Sequence, residues 1–279
     1  MHELSPKPAW VDAMDRFARP YWDALLNGEF AESAAVTRLS IDELRGWILN
    51  MYPFIHTFPK FLAEALIKVE DDFSRSFLID NIRVEKAHAE HWLWMAEGFG
   101  LARRDLLELA SGDRPALRDV QSLSDWLWYI NTKGSLAEAV AATSYAIEGV
   151  TGDLTRKTLE GFMGYGKFPE VTMNLHTSRW MRSHARYDDE HPKIALEVIM
   201  RYATTERLQH KVMLAVKRSL QLLDLAMDTS FRAYSETTTA GPKDGLELRI
   251  VERRANQRPI AFPERRFGER RGRPLRSVA

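Results

Sequence analysis

The chain has 279 residues, 45% hydrophobic and 28% charged, with 39 basic side chains balancing 39 acidic ones and no cysteine. That is the make-up of an ordinary globular protein, and the length suits one helical domain of about 230 residues plus a tail. Having no cysteine excludes disulfides, thiolate nucleophiles and zinc–thiolate or iron–sulfur centres, so any metal must be held by nitrogen and oxygen ligands.

No stretch approaches the ~20 uninterrupted apolar residues of a membrane span, and Met1-His2-Glu3-Leu4-Ser5-Pro6 lacks a signal peptide's apolar core. A cytoplasmic protein without a membrane partner is expected. The charge balance is uneven: residues 236–279 hold eleven Lys/Arg and six Asp/Glu, which leaves the body mildly acidic and not the surface of a nucleic-acid binder.

In chain order, apolar residues recur at three- and four-residue spacing over most of the first 235 positions, which predicts an all-α domain over 1–235. A first helix covers about 8–27 and stops at Asn27-Gly28. A second starts at Ile41 behind Ser40, with Glu43 at the capping-box position and Pro53 and Pro59 as expected kinks. A third runs from Asp71 or Asp72 to Gly98-Phe99-Gly100. A short helix from Arg103, a loop at 111–115, a helix over 117–131 and a long one from Ser135 to Gly161 follow. The glycine-rich 161–166 reads as a loop. Helical periodicity then resumes over 171–188 and over 192–234, with Pro192 in the first turn of the latter. After Ser235 the Arg-rich stretch with Pro and Gly, 236–279, is expected to be a disordered tail.

Two segments carry chemistry. Glu85 and His88 stand one turn apart, roughly 60° around a helix, so both can reach one metal. His184, Asp188 and His191, at i, i+4 and i+7, share one face and supply a nitrogen, an oxygen and a nitrogen. Glu148 falls among Val140, Ala141, Ala142, Ala146 and Ile147, where an unpaired carboxylate would cost several kcal/mol of desolvation. Bundle proteins that hold iron or manganese use inward-pointing Glu with Glu-x-x-His pairs. By itself Glu-x-x-His is more often a surface pair. In combination the three segments point to a metal centre made of Glu85, His88, Glu148, His184, Asp188 and His191.

These motifs resemble the heme-oxygenase-like dimetal oxidases, non-heme relatives of thiaminase II and the pyrroloquinoline-quinone synthase, over roughly residues 10–230. In pattern the chain is similar to the terminal-alkene-forming fatty-acid decarboxylases, through residues 52–59, 81–88 and 146–149 and through His184, Asp188 and His191. The resemblance implies a seven-helix heme-oxygenase-like bundle. It also implies an enzyme that uses Fe(II), two ions, and O2 to oxidise or cleave a small fatty-acid- or amino-acid-like carboxylate. An electron donor and a homodimer are compatible with it.

One position departs from the pattern. The family's second-helix glutamate falls, by counting from Phe58, on Asn50, which offers no anionic oxygen and makes a single ion the alternative. The rival readings are a cofactorless, pyrroloquinoline-quinone-synthase-like oxidase, a thiaminase-like hydrolase, and a non-catalytic binding protein with a decayed site. Trp92, Trp94, Trp126 and Trp128 read as core. Arg83, Lys86, Arg182 and Arg186 read as solvated ion pairs rather than substrate anchors. Tyr145 and Tyr187 read as hydrogen-bonding neighbours of the ligands.

Overall fold

The computed structural model describes residues 6–186 and 190–235. Its helices are α1 (Ala9–Leu26), α2 (Glu29–Ala35), α3 (Ile41–Leu66), α4 (Asp72–Gly98), α5 (Arg103–Ser111), α6 (Arg118–Lys133), α7 (Leu136–Val140), α8 (Gly149–Gly164), α9 (Arg179–Arg186), α10 (Glu190–Tyr202) and α11 (Glu206–Ser235). A π-helical segment, Ala141–Glu148, joins α7 to α8 without a break. Counting that run as one, seven long helical runs alternate with the short α2, α5 and α9, and no strand occurs among the described residues. No described helix is long and apolar enough to cross a membrane. The expected tail, 236–279, lies outside the described residues, as do Tyr187 and Asp188.

The helix starts follow local chemistry. Ser40 caps α3 by accepting from the Glu43 backbone N–H, while the Glu43 carboxylate accepts from the Ser40 N–H, a reciprocal box. Ser135 and Glu138 repeat the device at α7, and Asp71 accepts from Ser74 at the start of α4. α3 runs unbroken through Pro53 and Pro59. Gly100, at φ +75°, supplies the left-handed turn after α4.

Three expectations are corrected. Residues 161–166 are not an open loop: α8 continues to Gly164 and a 3-10 turn follows at Tyr165–Lys167. The glycines there serve packing, since a Cβ on Gly161 would lie 1.9 Å from the Ala34 carbonyl oxygen of α2. The segment 171–178 is irregular, because the Asn174 side chain accepts from the His176 and Thr177 N–H groups and defers the helix to Arg179. The last periodic stretch is two helices, broken at 203–205, where the Thr205 hydroxyl accepts from the Leu208 N–H.

α3 lies at the centre, packed against α4, α6 and α11. Its buried Trp47, Phe54, Phe58, Phe61 and Leu62 each contribute about 2–3 kcal/mol by removing apolar surface from water. This core holds α4 and the π-helical run in place and thereby fixes the chemical groups they carry.

Candidate metal centre

Four elements converge on one point in the core. α4 contributes Glu85 and His88, both buried, and His88 Nδ1 lies 3.0 Å from Glu85 Oε1. α9 contributes His184, whose ring packs on His88 at 4.2 Å between centroids and on Trp180 at 4.3 Å. Glu85, His88 and His184 each present one ligating atom, all within 4.8 Å of one another. His184 Nδ1 sits 2.9 Å from the Trp180 carbonyl oxygen, which accepts only from an N–H. The ring is thereby fixed as the tautomer whose Nε2 lone pair is open.

The π-helical segment places Glu148 beside this trio. Its Oε2 lies 3.4 Å from His191 Nδ1 of α10, and its Oε1 accepts from Asn81 Nδ2 at 2.8 Å. Asn81, fully buried on α4 one turn before Glu85, also donates to Ser144 Oγ at 3.2 Å. It locks Glu148 against rotation.

Burial dominates the electrostatics. It raises the Glu85 carboxyl, opposed by the nearby His184 and His191. It raises Glu148 as well, opposed chiefly by the His191 hydrogen bond and reinforced by Glu85. It lowers His88 to about 4 and His184 to about 3. The Glu85–His88 contact at neutral pH is therefore a hydrogen bond from a neutral imidazole, not an ion pair. Two carboxylates and two neutral imidazoles, with no lysine or arginine lining the surrounding cavities among the described residues, form a donor set short of positive charge. A dication held by nitrogen and oxygen fits it.

Two cavities open on the cluster. A small one is bounded by Val84, Gly152, His191 and Pro192. A second is walled by Trp47, Met51, Phe54, Phe58, Leu154 and Met227, with Glu85, Glu148 and His184 also in its lining. A mostly apolar pocket with a few convergent polar groups is the usual form of a small-molecule site. The indole N–H of Trp47, in its wall, is buried without a hydrogen-bond partner in the protein.

Of the six residues expected from the sequence, five converge here and Asp188 lies outside the described residues. Asn50 does not line either cavity, and its amide donates to the Gly46 carbonyl at 2.8 Å, within its own helix. The α3 residues lining the cavity are Trp47, Met51, Phe54, Ile55 and Phe58, none of which offers an oxygen ligand. Tyr145 is not a neighbour of the ligands, because its hydroxyl bonds Asp15 of α1. Arg83 and Lys86 line an outer groove. Asn81 and Trp180 fall outside the expected set. The signal for each is spacing: Asn81 stands four residues before Glu85 and Trp180 four before His184, on the same helix faces.

Comparison with known proteins agrees with this architecture. The family described as iron-containing redox enzymes matches residues 45–224. No curated protein matches the chain. Among solved structures, a TenA homologue from Pseudomonas syringae pv. tomato str. DC3000 superposes with a TM-score of 0.73 at 26% identity, covering 82% of this chain and 98% of that one. A domain of unknown function with a heme oxygenase-like fold from Shewanella denitrificans OS217 gives 0.70 at 18% identity, covering 84% and 97%. A putative TenA-like thiaminase from Sulfolobus solfataricus P2 gives 0.61 at 13%, covering 80% and 96%.

Proposed function

This chain belongs to the family of iron-containing redox enzymes, and we propose that it is a non-heme iron oxidase or oxygenase that uses O2 to oxidise or cleave a small organic molecule with an apolar body. The observation that carries this reading is the placement of Glu85, His88 and His184 within 4.8 Å of one another, with Glu85 and His184 in the wall of an otherwise apolar cavity. Those three hold a first Fe(II), and Glu148 and His191 complete the site or hold a second ion. Bound ferrous iron supplies the electrons that reduce O2.

The chain's own residues do the rest. Trp47, Phe54, Phe58 and Leu154 bind the apolar body and exclude water. Because no lysine or arginine lines the cavity among the described residues, a carboxylate head is placed at the ligand end rather than at a cation of the chain. Asn81 orients Glu148, and the Trp180 carbonyl orients His184.

The likeness to TenA homologues raises a non-oxidative hydrolase as a second reading. A thiol-dependent route of that kind is closed to a chain with no cysteine. The test is an anaerobic Fe(II) titration with metal analysis, followed by O2 exposure watched by optical and Mössbauer spectroscopy. Two irons per chain oxidised by O2 support a dimetal enzyme, and one iron supports a mononuclear site. No iron bound overturns the proposal.

A further inference from the structure

The ligand cluster is joined to the protein surface by a file of aromatic rings. His88 packs against His91 at 5.9 Å between ring centroids, and His91 against Trp94 at 4.9 Å. Trp94 stacks on the exposed His176 at 4.0 Å. Both His91 and Trp94 line an open groove between α3, α4 and α5 whose wall also carries Arg83, Lys86 and Arg103. In the opposite direction His184 meets Trp180, Trp180 meets Trp92 at 4.6 Å and Trp92 meets Trp47 at 4.8 Å, with all three indoles buried.

The indole N–H groups separate these tryptophans chemically. Trp94 Nε1 donates to the Glu90 carboxylate at 3.0 Å, a carboxylate that also accepts from the Arg103 guanidinium. Trp92 Nε1 donates to the Ile48 carbonyl, which cannot take a proton, and Trp47 Nε1 has no partner in the protein. An indole that loses an electron becomes strongly acidic, so it settles as a neutral radical only where a base receives its proton. Of these three N–H groups that arrangement is seen at Trp94, at the edge of the protein.

We propose that Trp94 is a redox-active residue, the surface end of a ring relay that drains oxidising equivalents from the metal centre when O2 reacts there without substrate. The inference rests on the reading of the site as an O2-activating iron centre. One electron passes from the Trp94 indole, across the His91 and His88 rings, to the metal centre, which is reduced by one equivalent. The indole proton moves from Nε1 to Glu90. The neutral indolyl radical is restored by one electron from a small anionic one-electron reductant of the ascorbate type, drawn to the groove by Arg83 and Lys86, and by the proton returning from Glu90. The reductant leaves as its own radical. Oxidation is thereby kept from Trp180 and Trp92, which stand in the cavity wall, Trp92 with its N–H on a carbonyl that takes no proton.

The test uses the full chain loaded with Fe(II), exposed to O2 without substrate and freeze-quenched for electron paramagnetic resonance, with O2 uptake recorded in parallel. The expected result is a neutral tryptophan radical that falls at least tenfold in Trp94→Phe at equal iron content and equal O2 uptake. It becomes a tyrosyl signal in Trp94→Tyr and disappears on adding ascorbate. Peptide mapping of Trp94→Phe after repeated exposure should show oxygen added at Trp180 or Trp92. O2 uptake with no radical, or with the same radical in Trp94→Phe, overturns the relay and leaves the iron reading standing. Iron-loaded protein that takes up no O2 overturns both.

Discussion

Replacing Glu85 by Gln should make the metal-free protein more stable and at the same time blind to metal. Burial raises the Glu85 carboxyl above its ordinary 4.5. A carboxyl raised in the folded state contributes stability that is present below pH 4.5 and lost as the pH rises through its folded value. At neutral pH the ionised group is therefore a liability, and every tenfold weakening of its acidity on folding costs about 1.4 kcal/mol. Gln keeps the shape and can still accept from His88 Nδ1, now 3.0 Å from Glu85 Oε1, while removing the charge. A gain of about 2 kcal/mol at pH 7.5 follows, on the scale seen when buried ions are replaced by neutral groups. For a domain of this size that raises Tm by roughly 4–8 °C. At pH 4, where the carboxyl is protonated in the folded parent, the difference should vanish. Ferrous or cobaltous ion at about a hundred times its Kd should stabilise the parent by about 2.7 kcal/mol and the variant by far less. Thermal unfolding by circular dichroism, with and without metal at the two pH values, measures each of these differences. A variant less stable than the metal-free parent at pH 7.5 that still responds to metal would refute the reasoning.

The histidines give the opposite pH dependence. His88 is lowered from 6.5 to about 4 and His184 to about 3, so their neutral forms favour folding above pH 6.5, and that stability is lost as the pH falls toward 4. Urea unfolding of the metal-free protein should show a loss of about 3 kcal/mol over that range for His88 alone, reduced in His88→Phe. His184→Ala should lower iron affinity at least a hundredfold with an unchanged helical spectrum, read by equilibrium dialysis. An unfolded variant would assign His184 to the core instead. Met51→Trp fills the apolar cavity, so it should lower kcat/KM for a long apolar substrate by tenfold or more while iron content stays at the parent value.

Much of the architecture is written in local chemistry, and that part is legible without coordinates. The Ser40–Glu43 box, the Asp71 cap, the glycine after α4 and the one-turn spacing of Glu85 and His88 involve residues within a few positions of one another. The buried setting of Glu148 is visible because a carboxylate among alanines and aliphatics is costly wherever the chain goes. What fails depends on partners remote in sequence. Gly161 and Gly164 read as loop residues until α2 and Thr37 are seen pressed against them. Asn50 looks like a displaced ligand because counting along a motif cannot show which side of α3 faces the cavity. Asn81 acts through Ser144 and Glu148, 63 and 67 positions away.

The π-helical turn that ends at Glu148 has a consequence for how such a centre arises. A π-turn holds one residue more than an α-turn, so the run from Leu136 to Gly164 accommodates a residue that a continuous α-helix of the same rise would not. Gly149 faces α1 so closely that a Cβ there would lie 2.6 Å from the Trp22 ring. With α7 held in its packing instead, shortening the segment by one residue would turn Glu148 by about 100° and draw it off Asn81 and His191. A single codon gained or lost could thus add or delete an acidic ligand while the scaffold around it kept its packing, a short evolutionary step between bundles that hold metal and bundles that do not.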